Sequence, residues 1–305
     1  MQASATAGIE FSGTTMRYSE VEQYGAQHRL LRLGDCDFEF DVSEVLFELG
    51  TQKYLDVVTD ALSEIFLGTT ATRIRIAIHP QAARVLQSLR FSGANEESIR
   101  ENVAFESALM HDEVWVEEDR HVMQGRPLSP TSDSAHAPDM ESLLVSEISG
   151  PVKKRLHEVT SRIPDASPDI ISSTEALLAV VRETASKNDF DGYQLSVGLY
   201  PSYAEFMVTR GSEWISSQIR SETESGDVAY FALHFLELSG VVREDDVRVR
   251  VYGSGASREQ QETLTSIFFE NISVLNPISI VDLETDQFDS EFQFESFVIC
   301  LGAAL

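Results

Sequence analysis

Lysine is nearly missing from this sequence. Lys53, Lys153, Lys154 and Lys187 are the only four in 305 residues, and the other basic residues are arginines. Fifty acids face 23 bases, for a net charge of -27. A chain so poor in cations has no basic face with which to displace counterions from a phosphate backbone, which excludes a general nucleic-acid binder. It also excludes attraction to anionic lipid through a basic patch. An acidic, lysine-poor surface suits a salt-rich cytoplasm, where screening weakens self-repulsion. A GC-rich genome, encoding arginine in place of lysine, produces the same bias.

Cysteine is scarce too. Cys36 and Cys300 stand at opposite ends of the chain, outside any CxxC or Cys/His cluster, so no disulfide framework is expected and a reducing cytoplasm is. Seven histidines are scattered without an HExxH or HxxxH pair, which argues against a metal site. No charged segment precedes an apolar run at the start, so no signal peptide is expected. The apolar run over residues 297–305 is too short to span a bilayer. What is present is core material: 42% apolar and 9% aromatic residues over a length that suits two lobes or one elaborated domain.

The order of elements repeats. Residues 8–20 read as strands around a turn at Ser12-Gly13, with further strands over 29–33 and 37–42. Ser43 is placed to cap a long helix with an apolar stripe from Val45 to Phe66, and residues 73–78 are a strand. Residues 79–125 read as a small α+β unit: a strand within 83–91, a helix capped by Asn95, and strand character from Val114 to Val122. A proline-rich excursion, 125–139, has no core of its own. A strand (143–148), a helix opened by Pro151, a short strand (169–171) and a helix capped by Ser173 complete the first half. The second half runs through a hairpin (193–199 and 203–209), a third strand, a helix, a strand (247–252), a helix and a strand (278–283). A closing segment, 294–305, reads as strand, then helix. The expectation is a duplicated α/β architecture with lobes of residues 1–187 and 188–305 and a ligand cleft between them.

Five segments, taken in this order, resemble the actin-like ATPase superfamily, and within it the PilM and FtsA branch. Gly8-Ile9-Glu10-Phe11-Ser12-Gly13-Thr14-Thr15-Met16-Arg17 is similar to the opening phosphate loop. Asn102-Val103-Ala104-Phe105-Glu106-Ser107 resembles the helix of the inserted subdomain. Leu195-Ser196-Val197-Gly198-Leu199-Tyr200-Pro201-Ser202 resembles the second phosphate loop, and Tyr252-Gly253-Ser254-Gly255-Ala256 the glycine turn under adenosine. Cys300-Leu301-Gly302-Ala303-Ala304-Leu305 resembles the closing segment. The resemblance implies two ribonuclease H-like βββαβα lobes with a small α+β insertion in the first. Its nucleotide cleft would be lined by Glu10, Ser12, Gly13, Thr14, Arg17, Ser196, Gly198, Gly253 and Gly255.

Several of these positions depart from the chemistry the superfamily needs. Phosphates require backbone donors and small hydroxyls at close approach, and an Asp at each hairpin entrance handles Mg²⁺ or the attacking water. Here the first Asp is Glu10, one methylene longer. The second is Ser196, which carries no charge. The basic residue of the first loop is Arg17, with a different reach. Pro201 removes a donor, and Tyr200 has the bulk to occupy phosphate space. The expectation is a scaffold with no cofactor, or with weak ATP or ADP binding at most, and no catalytic residues. The alternative is a divergent ATPase or kinase.

By the same resemblance the partner is a peptide of a membrane-anchored pilus or secretion assembly protein. Phe91, Val103, Phe105 and Trp115 would line the groove between the first subdomain and the insertion. The chain would lie in the cytoplasm, peripheral to the inner membrane through that partner and not inserted in it, with self-association possible. Gly253-Ser254-Gly255 lacks the third glycine of a dinucleotide loop and the five-residue pattern of a nucleophile elbow. The acidic stretch from Asp282 to Glu295, interleaved with Phe288, Phe292 and Phe294, reads as a solvated loop and edge strand, or as a dock for a basic, aromatic-seeking partner.

Overall fold

Strict alternation along the first strand sets up the layers. In β1 (Ser4–Ser12), Ala7, Ile9 and Phe11 enter one apolar core while Gly8 and Glu10 face the opposite way. The computed structural model describes residues 4–48, 51–79, 82–91, 93–110, 120–127, 140–163, 168–221, 227–241, 246–256, 258–268, 271–283, 288 and 292–305. β1 pairs antiparallel with β2 (Thr15–Tyr24), and β2 with β3 (Gln27–Asp37). Two helices follow, α1 (Val42–Phe47) and α2 (Gln52–Ile65), then β4 (Ala71–Ile78), parallel to β1. The long helix expected from Ser43 is therefore two. The Asp41 carboxylate caps α1 by accepting from the Glu44 N–H at 2.9 Å, and Thr51 is extended (ψ 150°) where α2 begins.

An insertion follows β4. It holds β5 (Ala83–Phe91), α3 (Glu96–Met110), β6 (Arg120–Pro127) and β7 (Met140–Ile148), with strand order β5-β7-β6. Asn95 caps α3 by accepting from the Ser98 N–H at 2.8 Å. Ile99 and Val103 of α3 bury against Leu86, Leu143 and Val145. The central strand of this sheet lies beyond residue 125, because β7 pairs with both β5 and β6. Trp115, the start of the expected strand at Val114 and most of the 125–139 excursion lie outside the described residues.

The chain then returns through α4 (Gly150–Thr160) to β8 (Pro168–Ser172), parallel to β4. α5 (Ser173–Asn188) is capped by Ser172, not Ser173, through a capping box with Glu175. The second sheet repeats the plan. β9 (Tyr193–Leu199), β10 (Tyr203–Arg210) and β11 (Glu213–Ser221) form the meander, followed by α6 (Asp227–Leu238), β12 (Val247–Tyr252), α7 (Arg258–Phe268) and β13 (Ile272–Val274). The orders β3-β2-β1-β4-β8 and β11-β10-β9-β12-β13 are the same 3-2-1-4-5 topology, so the fold is a duplicated, ribonuclease H-like α/β arrangement in two lobes with an α+β insertion in the first.

Two closing segments differ from expectation. Residues 277–280 form a 3-10 turn, opened by Pro277 and the Asn276 side chain, which accepts from the Ile278 N–H. Only β14 (Asp282–Leu283) is strand, and it pairs with β3 of the first sheet. Phe294–Phe297 is another 3-10 turn, leading into α8 (Val298–Ala304). Phe288, Phe292, Phe294 and Phe297 pack on one another with ring centroids 4.8–5.1 Å apart. Phe288, Phe292 and Phe294 stay half-buried, and most of residues 284–291 lie outside the described residues.

The result is five layers. α1, α2 and α4 cover the outer face of the first sheet, α6 and α7 the outer face of the second, and α5 and α8 share the apolar middle. α8 is buried over its whole length, as a helix apolar all round must be. Its small residues permit this. A Cβ on Gly302 would lie 2.1 Å from the Ala176 carbonyl of α5, and Ser19 Oγ donates to the Cys300 carbonyl at 2.9 Å on the other side. Both cysteines are free, Cys300 buried and Cys36 half-buried. Among the described residues no helix is long and apolar enough to cross a membrane.

On an exposed helix, replacing glycine by alanine stabilises by about 1 kcal/mol. Here the sign should reverse. Gly302→Ala is expected to cost about 1–3 kcal/mol through overpacking against α5, measured as a lower urea midpoint with an unchanged m-value.

Candidate functional site

The inner faces of the two sheets meet between the lobes, and the alternation that sends Ile9 and Val197 outward sends polar residues inward. From the first lobe come Glu10 of β1, Arg17 of β2 and His79, just past β4. From the second come Ser196 and Gly198 of β9, Tyr203 and Glu205 of β10, Tyr200 in the turn between them and Tyr252 of β12. All of these side chains are buried.

His79 is the centre. Its Nε2 lies 3.0 Å from Glu10 Oε1 and its Nδ1 3.5 Å from Glu205 Oε1. Ser173 Oγ donates to the same Glu205 oxygen at 2.5 Å, and Tyr252 Oη donates to Glu205 Oε2 at 2.9 Å. Tyr200 stacks on Tyr203 with centroids 4.6 Å apart at 15°, and meets the His79 ring edge-on with centroids 4.6 Å apart at 61°. Burial, the largest single influence, pushes the imidazole down. The hydrogen bonds and charges of Glu10 and Glu205 more than offset it and raise His79 to about 9, so it is an imidazolium at neutral pH. Burial first, then the charge of Glu205, raises the three tyrosines well above their ordinary value, so they remain neutral.

The residues expected to line a nucleotide cleft are placed as follows. Glu10 faces the middle layer but meets His79. Gly13 turns β1 into β2, with φ +58°, and its carbonyl accepts from the Val42 and Ser43 N–H groups. Ser12 is half-buried and Thr14 exposed in that turn. Arg17 is buried 6.0 Å from the Phe297 ring, with Nε and Nη1 unpaired among the described residues. The Ser196 hydroxyl accepts from Gln194 Nε2 at 3.1 Å. Gly198 pairs with Glu205 on one side and Tyr252 on the other. A Cβ there would lie 2.5 Å from Tyr252 Oη, so its missing side chain lets the tyrosine reach across to Glu205. The Gly253–Gly255 turn packs on the β9–β10 turn, with the Gly255 N–H donating to the Leu199 carbonyl at 2.8 Å.

Glu205, His79 and Tyr252 were not anticipated as site residues. A signal for Glu205 existed: it is the single acid in Tyr203–Val208, a run otherwise apolar enough for a buried strand. His79 is the cation placed between the two glutamates, within 4 Å of both, as a buried carboxylate pair requires. Among the described residues no three His, Cys, Asp or Glu side chains are placed to hold a metal ion. A solvent-open hollow of about 560 Å³ lies away from the cleft, beside the C-terminus of α5, lined by Asp189, Asp191, Arg210 and Glu213.

No protein-family model matches the sequence, and no curated protein matches it. Solved structures do match. One is described as the "PilM-PilN type IV pilus biogenesis complex", with a TM-score of 0.74 and 15% identity, covering 98% of this chain and 97% of that one. Another, from Bacteroides thetaiotaomicron, is described as having an actin-like ATPase fold and unknown function. It has a TM-score of 0.55 and 14% identity, covering 91% of this chain and 92% of that one. At these identities the likeness is one of fold.

Tyr252→Phe keeps the ring and removes the donor, leaving Glu205 Oε2 buried and unpaired. The variant is expected to lose about 1–3 kcal/mol in urea unfolding followed by circular dichroism.

Proposed function

This chain has the actin-like ATPase fold, and we propose that within that fold it is a non-catalytic scaffold rather than an ATPase. The observation that carries this reading is the filling of the cleft. The Tyr200–Tyr203 stack, His79 and Glu205 are buried between the two sheets, in the layer where this reading would put the phosphates of a nucleotide. Glu10 is held by His79 and is not free for a metal, and Ser196 offers no charge to one. ATP or ADP binds weakly at most. Arg17 favours the second reading, a divergent ATPase or kinase, because its unpaired Nε and Nη1 are donors an anion could use.

The scaffold function we infer is that of a platform for a peptide from a membrane-anchored assembly protein of pilus or secretion type. The platform is held at the cytoplasmic face of an inner membrane through that partner. Support comes from the fold likeness to a chain of a PilM-PilN complex and from the insertion's surface. There β5 is an edge strand, a place where an extended peptide can add its backbone to a sheet. Leu89 and Phe91 are 45% and 57% exposed on it, and alternation places them on the face away from α3. Phe105 is exposed on α3 itself, and Val103 is core at 1% exposure, so Val103 is no part of a groove.

Calorimetric titration of ATP with and without Mg²⁺ tests the first part. No binding tighter than the millimolar range is expected, and micromolar binding with Mg²⁺-dependent turnover would establish the ATPase reading instead. For the second part, peptides tiled over the cytoplasmic segments of membrane proteins encoded beside this one should include a binder. Leu89→Ser with Phe91→Ser is expected to weaken that binder at least about tenfold, with the circular dichroism unchanged.

A further inference from the structure

α6 is apolar on more than its buried face. Val228, Ala229, Ala232, Phe235 and Leu236 pack into the second lobe, and a surface helix ordinarily sets charged side chains opposite such a face. Here Tyr230, Leu233 and Leu238 lie outward instead, 63%, 45% and 64% exposed. A lone exposed apolar residue is ordinary, but apolar residues on successive turns of one helix mark a contact surface. The formal charges of α6 are Asp227 and Glu237, both exposed, one near each end, with no Lys or Arg between them. Two copies of α6 laid on one another would therefore set acid against acid in either direction, which costs affinity. The stripe fits a partner face that is partly apolar and carries cations.

This acidic chain has one such face of its own. Three of its four lysines, Lys53, Lys153 and Lys154, belong to α2 and α4, which cover the outer side of the first sheet. The two helices lie side by side: Gln52 reaches Glu158 Oε1 at 3.5 Å, and Arg162, just past α4, pairs with Asp60. Lys53 follows Gln52, and Lys154 stands one turn before Glu158, so both lysines border that seam. Both are exposed and in no ion pair among the described residues. Tyr54 and Val57 of α2 are 38% and 42% exposed beside them.

We propose that α6 of one copy docks on the α2–α4 face of the next, with Lys53 and Lys154 meeting Asp227 and Glu237 around an apolar centre. The two faces are different patches on opposite outer layers of the fold. The contact is therefore heterologous, and it leaves a free face at each end of every pair, so that copies add head to tail. A contact between helix faces is at the small end of specific interfaces and is weak. Repulsion between chains of net charge -27 opposes it at low salt. At about 1 M salt the Debye length of about 3 Å screens that repulsion and spares pairs in direct contact. Neither face includes the β5 edge, so the peptide reading can fail without touching this one.

Sedimentation velocity of the full chain at about 1 M salt tests the proposal. The wild-type sedimentation coefficient should rise with concentration without settling at a dimer. Tyr230→Ser with Leu238→Ser disables the α6 face, and Lys53→Glu with Lys154→Glu the α2–α4 face. Each variant alone should stay monomeric with unchanged circular dichroism. Mixed, they should form a one-to-one pair that grows no further, because each keeps the face the other lacks. Should the serine variant fail to fold, Asp227→Lys with Glu237→Lys takes its place. The chain carrying all four charge reversals should then associate again. A monomeric wild type would overturn the proposal. So would a variant that still associates alone, or two variants that do not pair when mixed.

Discussion

Glu205 is a carboxylate removed from water, and the geometry of the middle layer follows from meeting its needs. An isolated buried carboxylate would protonate or unfold its surroundings. Here one oxygen takes Ser173 and faces His79, and the other takes Tyr252. Each donor imposes a condition. Tyr252 can reach only because Gly198, between them on β9, has no side chain. Ser173 must start α5 at the end of β8, and His79 must follow β4 on the inward parity. The donors come from both halves of the chain, so the carboxylate ties the two sheets into one register.

Duplication explains why this place exists. Each half folds the same strand order, and in each the outward positions of the first strand are apolar: Ala7, Ile9 and Phe11 in one, Leu195, Val197 and Leu199 in the other. The inward positions of both face a shared layer closed at one end by α8 and α5. In this chain Glu10, His79, Glu205, Ser173 and Tyr252 address each other beside a stacked tyrosine pair. The hydrogen bonds that Glu205 takes from Ser173 and Tyr252 fix one arrangement of β10 against α5 and β12, whereas apolar contacts such as those of α8 tolerate small displacements.

Much of the fold was legible in the sequence because it rests on local signals. The glycine turns at Gly13 and Gly240, the strand alternation of 8–17 and 195–208, the Asn95 cap and Pro151 at a helix start are all short-range, and the repeated element order follows from them. The misreadings share a cause. The Asp41 cap and the extended Thr51 mark the starts of two helices along one apolar stripe. Asn276 and Pro277 turn a β-branched run into a 3-10 turn. Residues 294–297, rich in phenylalanine, coil because their rings pack on Phe288 and Phe292. In each case a nearby polar or tertiary contact overrides the propensity of the run. The site was half legible. Glu10, Ser196, Gly198 and Tyr200 could be named from their motif positions, but the partner of Glu10 could not. His79 has a role only because Glu205, distant in sequence, is brought opposite it.

On the scaffold reading, the chain's own side chains occupy the cleft in place of a nucleotide triphosphate. A crystal structure determined in millimolar MgATP tests it most directly. The account predicts the Tyr200–Tyr203 stack in place, His79 between Glu10 and Glu205, and no ordered phosphate between the two hairpins. Ordered ATP or ADP with Mg²⁺ between Ser12-Gly13 and Gly198, with the tyrosines displaced, would contradict it.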